Sequence, residues 1–138
     1  MEDPFIVVNS AAVISDLEAL HGKPQALCSL DIEDMYYSIN SAKAVEAVEK
    51  AVFNQGIKHL ESEWGMSWTS LREIMHTYLS STAVQFEDKT YLQKKGVCIG
   101  SKIAPRLTDI YMASLNTRIV EELKSRGMWA NISQFFNT

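Results

Sequence analysis

The residues of this chain equipped to act on a ligand fall in two stretches. In residues 27–39, LCSLDIEDMYYSI, an apolar run leads to Asp31. On an extended backbone Leu27, Ser29, Asp31 and Glu33 share one face while Cys28, Leu30 and Ile32 share the other, so the carboxylate of Asp31 can look into a cleft while its neighbours pack. In residues 93–111, QKKGVCIGSKIAPRLTDIY, Gly96 and Gly100 remove side chains at two points of one loop, which permits positive φ and close backbone approach to something large. Ser101 adds a hydroxyl. Pro105 falls in the first turn of a long helix, where a missing amide hydrogen costs little. Lys89, Lys94, Lys95, Lys102 and Arg106 make residues 89–106 purely basic, a charge suited to phosphate or, equally, to a solvated surface.

The elements that must position these residues are read from periodicity and caps. Asn9 or Ser10 starts a helix through Val13, Ile14, Leu17 and Leu20 that Gly22 and Pro24 end. Residues 26–32 read as a buried strand. Ser41 caps a helix toward Asn54, with Gly56 as its stop, and residues 57–65 read as polar and irregular. A helix capped by Ser67 or Ser70 carries the stripe Leu71, Ile74, Met75, Tyr78 and Leu79. Residues 83–86 and 91–93 flank the polar turn 87–90 as a hairpin, and Leu107, Ile110, Tyr111, Leu115, Ile119 and Leu123 describe a long helix ending near Gly127. Helical spacing assigns most of Trp64, Trp68, Tyr78, Tyr111 and Trp129 to packing rather than to base stacking.

A chain of 138 residues with 46% hydrophobic content supports one domain, residues 1–138. The net charge of −4 argues against a generic nucleic-acid binder, although charge is uneven: residues 1–35 hold seven acidic residues against Lys23 alone, whereas residues 89–106 are purely basic. Cys28 and Cys98 lack metal-ligand spacing and read as free thiols, and His21, His59 and His76 show no zinc pattern. No apolar stretch reaches the roughly 20 residues that span a bilayer, so no membrane partner is expected and the chain reads as intracellular.

The two stretches occur in the order of two motifs of reverse transcriptases, which they resemble. Residues 27–39 resemble motif A, an apolar strand ending in aspartate with an aromatic residue five positions later and an isoleucine beyond: Asp31, Tyr36 and Ile39. Gln93, Gly96, Gly100, Ser101 and Pro105 match motif B in order. The flavour is that of Penelope-like, non-viral retroelement enzymes, whose motif A usually has a proline where this chain has Asn40.

The resemblance implies an α/β (α+β) fold, a partial reverse-transcriptase palm whose small antiparallel sheet is covered on one face by helices. It implies RNA-directed DNA polymerisation on an RNA or DNA template-primer with deoxynucleoside triphosphates. Asp31 would hold Mg2+ or Mn2+, Tyr36 would lie beneath the sugar of the incoming nucleotide, and Gln93, Gly96, Gly100 and Ser101 would line the nucleotide site. Lys94, Lys95 and Lys102 would meet the nucleic-acid backbone. The family's later pair of adjacent aspartates has no counterpart in these residues, so the chain reads as a fragment, inactive alone unless those carboxylates are supplied. Two rivals stand beside this reading: a non-catalytic nucleic-acid- or protein-binding remnant of a retroelement, and a helical interaction module in which the motif matches are accidental.

Overall fold

The computed structural model describes residues 9–19, 30–129 and 132. They contain six α-helices and one two-stranded sheet, so the chain is a mixed fold dominated by helix. It divides into two compact units, Ile32–Ser114 and a second drawn from Met1–Asp31 with Leu115–Thr138.

The unit Ile32–Ser114 opens with a single helical turn, α2 (Met35–Ser38), entered through Asp34 in the left-handed region at φ 48°. The long α3 (Ser41–Gln55) follows at once. Its cap is Asn40 rather than the expected Ser41: the Asn40 side chain accepts from the Lys43 amide at 3.0 Å. Gly56, at φ 96°, ends α3 where the sequence placed its stop.

Residues expected to be irregular form α4 (Ile57–Trp64). Ile57, Leu60 and Glu61 sit half-buried one turn apart, a short amphipathic face hidden among charged residues. Ser67 is the cap of α5 (Trp68–Ser80), accepting from Ser70 N at 3.2 Å. Trp68 joins the three helices: its ring meets Phe53 edge-on at 6.5 Å, its indole N–H donates to Glu49 Oε1 at 3.0 Å, and its backbone amide donates to Glu61 Oε1 at 3.2 Å. It is core, as its spacing predicts, whereas Tyr78 on the α5 stripe is exposed.

The hairpin exists, with a tighter turn than expected. Strand β1 (Ala83–Phe86) pairs antiparallel with β2 (Lys89–Leu92) across Glu87 and Asp88 alone, with Phe86 opposite Lys89, and Glu87 takes φ 53°. All eight strand residues are exposed, so the helices do not cover either face of this sheet. The expected strand at 26–32 is not borne out where it is described: Leu30, Asp31 and Ile32 are unpaired, and Leu30 is 89% exposed. A strand needs a ladder partner, and among the described residues these three have none; residues 26–29 lie outside the described set.

The core of this unit gathers Ile39, Ala44, Val45, Leu79, Val97, Ala104 and Leu107, with Tyr36, Val48, Met75 and Tyr111 packed against them. Helix α6 (Ala104–Ser125) supplies the last of these, and Pro105 stands in its first turn as the sequence implies.

The second unit contains α1 (Ser10–Ala19), capped by Asn9 through a 3.0 Å bond from the Ala12 amide. Its share of α6 buries Asn116 and Val120. That helix ends in a Schellman arrangement, Met128 N to Leu123 O at 2.9 Å and Gly127 N to Lys124 O at 3.0 Å, with Gly127 at φ 67°.

Candidate nucleotide site

The two stretches singled out by chemistry meet backbone to backbone. Within α2, Tyr37 N and Ser38 N both bond to Asp34 O at 2.9 Å, and the Ser38 hydroxyl donates to Glu33 O at 2.8 Å, so the chain is wound tightly around Tyr36. The carbonyl of Tyr36 accepts from the Val97 amide at 2.7 Å. A Cβ on Gly96 would stand 2.5 Å from Tyr36 O and 2.6 Å from Tyr37 Cα, so this position, at φ 79°, excludes every side chain. The Ser41 hydroxyl reaches the Gly96 carbonyl at 3.4 Å, adding a second tie from the start of α3.

Close backbone approach at Gly96 is therefore real, but the large neighbour is the chain's own Tyr36–Tyr37 backbone. Gly100 differs. It takes φ 89° in open space, with nothing within 4 Å of where a Cβ would stand, so its glycine serves conformation alone.

Gln93 is half-buried and folded back, its side-chain amide donating to Lys95 O at 2.7 Å while its backbone amide donates to Thr82 O at 2.8 Å. Ser101 is engaged by protein. Its hydroxyl oxygen accepts from Ile103 N at 3.3 Å and is hydrogen-bonded by the Tyr78 hydroxyl, which links α5 to the entry of α6. Tyr36 is half-buried against the core, whereas its neighbour Tyr37 is 57% exposed.

The basic residues occupy different settings. Lys89 lies in the hairpin opposite Phe86, and Arg106 faces Asp109 at 4.0 Å. Lys102 is exposed just ahead of α6. Lys94 and Lys95 line a cleft of about 390 Å³ together with residues 37–42. Sequence reasoning missed Tyr37, Ser38 and Ser41 as members of this cleft. The Ser41 cap signal marked the helix start, but its companions Lys94 and Lys95 arrive from far along the chain.

Asp31 is exposed and belongs to the other unit. Among the described residues no group of three His, Cys, Asp or Glu side chains is arranged to hold a metal ion. Cys98 is a half-buried free thiol, and His59 and His76 are exposed. No helix among the described residues is long and apolar enough to cross a membrane. Compared with known proteins, the chain matches no protein-family model, no curated protein and no solved structure.

Proposed function

We propose that this chain is a palm segment of a reverse transcriptase, contributing to template-directed DNA synthesis on an RNA or DNA template-primer. The observation that supports this reading is the clasp: Val97 N on Tyr36 O at 2.7 Å, with Gly96 obligatory at the contact. Tyr36 and Ile39 of the first pattern share one core with Val97 and Ala104 of the stretch that carries the second. In this reading Asp31 supplies one metal carboxylate, Tyr36 forms the floor beneath the deoxyribose, and the loop from Gln93 to Ser101 flanks the nascent pair.

The Tyr36 carbonyl is held by the Val97 amide and its side chain packs against the core, so its ring can act as a fixed wall against a ribose 2′-hydroxyl. The described residues do not fit a complete two-metal site, since Asp31 alone matches the motif and no group of three His, Cys, Asp or Glu side chains among them is arranged to hold a metal ion. The chemical step therefore needs carboxylates from outside these residues. The test is RNA-templated primer extension by a polypeptide in which this chain is joined to a segment that supplies those carboxylates. Asp31→Asn abolishes extension and Tyr36→Ala admits ribonucleotides; extension unaffected by Asp31→Asn overturns the reading.

The exposure of Asp31 and the absence of a carboxylate cluster among the described residues favour a second reading, a non-catalytic nucleic-acid-binding remnant. It predicts primer-template binding by that same polypeptide with no extension under any metal.

A further inference from the structure

Lys94 and Lys95 are adjacent in sequence, and on an extended backbone adjacent side chains point to opposite faces. Here both line one cleft. The cause is local: Gln93 folds onto the Lys95 carbonyl at 2.7 Å and Gly96 turns the chain at φ 79°, so the backbone bends between the two lysines and the clasp. Neither lysine has an ion pair among the described residues, and no acidic residue lines the cleft. Two cations held side by side without a counter-charge repel each other, a cost that an anion between them removes.

The opposite wall consists of donors and one ring. The Ser38 and Ser41 hydroxyls lie here with their protons already donated, to Glu33 O at 2.8 Å and Gly96 O at 3.4 Å, so the donors of this wall are backbone amides. The amides of Ser41 and Ala42 open α3, where no preceding turn offers an intrahelical acceptor, and the Asn40 side chain caps Lys43 N. Tyr37 is 57% exposed at the same cleft, a large ring that the core does not use. Inorganic anions have no use for such a ring, whereas a nucleotide has a flat base or sugar to set against it.

We propose that the cleft between residues 37–42 and Lys94–Lys95 binds the phosphate group of a nucleotide, with Tyr37 flanking the attached base or sugar. The proposal deepens the nucleic-acid reading above and rests on it for the class of ligand, but it requires no metal and no polymerase chemistry. The phosphate comes either from the backbone of a single strand or from a free nucleoside triphosphate, and the arms of the experiment separate the two.

The experiment is salt-titrated binding of the whole chain in EDTA, with fluorescein-labelled oligo(dT) followed by anisotropy, and with dTTP and inorganic phosphate followed by amide chemical shifts. Lys94→Ala/Lys95→Ala weakens oligo(dT) binding and lowers the slope of log K against log salt by about 1.4, two single-strand phosphate contacts' worth. Tyr37→Ala weakens oligo(dT) or dTTP by about fivefold or more and leaves inorganic phosphate unaffected. Lys58→Ala, an exposed lysine of α4, changes nothing. Circular dichroism verifies that each variant is folded, and shifts of Ser41, Ala42 and Gly96 in the unmodified chain report the site without any substitution. Oligo(dT) shifting these amides while dTTP does not assigns the strand backbone; dTTP shifting them and competing with oligo(dT) assigns the free nucleotide. An unchanged salt slope in the double variant, or shifts confined to Lys102 and Arg106, overturns the proposal. Because no catalysis is read, its failure is separate from any failure of the Asp31→Asn test.

Discussion

Gly96 and Gly100 lie in one loop, both with positive φ, and the structure gives them opposite surroundings. A Cβ at Gly96 would press into the backbone of Tyr36 and Tyr37, while a Cβ at Gly100 would meet nothing. The first half of the loop is thus part of the core, with Val97 fully buried, and the second half runs exposed through Ile99 and Gly100 to its tie at Ser101. A glycine pattern matched as one motif therefore contains two physical requirements. One is space; the other is only backbone conformation.

The sharpest way to break this contrast is Gly96→Ala. The substitution combines the strain of positive φ with an overlap against backbone atoms that have no rotamer to escape into. Destabilisation of roughly 3 to 5 kcal/mol is expected, seen as loss of the cooperative urea transition followed by circular dichroism. A mild effect would mean that the Tyr36–Val97 clasp opens without consequence.

Val97→Ala tests the same half of the loop through packing instead of backbone. Val97 is wholly buried beside Ile39, Leu79 and Leu107, and deleting its methyl groups leaves a small cavity in a core with few large side chains. A loss of about 2 kcal/mol in stability, read from the urea transition, is expected. Gly100→Ala is the counterpart. It retains only the conformational cost, about 1 kcal/mol by the same measurement, because the added methyl enters open space. Equal losses at Gly96 and Gly100 would erase the distinction between the two halves.

Much of this was legible in the sequence where the signal is local. The α5 helix, the Gly56 stop, the hairpin and the α6 start at Pro105 follow from periodicity and from residues with restricted dihedrals. Helix α4 was hidden because its apolar face holds few residues among Lys58, His59, Glu61 and Glu63, too few to show a period. The strand expected at 26–32 relied on an apolar run, and apolar content does not say whether a ladder partner exists. For Gly96 the need for close approach was readable, yet its partner was not: the Tyr36–Tyr37 backbone lies far along the chain, and nothing local to either names the other. The cleft follows the same logic, since Lys94 and Lys95 read as a charge run until the Gln93 turn brings them to residues 37–42.

The smallest expected effect belongs to the exposed half. Tyr78 and Ser101 are hydrogen-bonded through their hydroxyls, which ties α5 to the entry of α6. Tyr78 is 37% exposed, so water replaces a lost partner readily and the net cost of Tyr78→Phe is about 0.5 kcal/mol. Ser101→Ala removes more, because the Ile103 amide also loses its acceptor at 3.3 Å and the start of α6 frays. The pair of variants makes a double-mutant cycle. Stability by urea denaturation should show Ser101→Ala as the larger loss and the double variant close to Ser101→Ala alone, since the tyrosine hydroxyl has no partner left to lose. Strict additivity would mean that the two hydroxyls are not coupled in solution, and that the second half of the loop is held to the helices only through its own backbone.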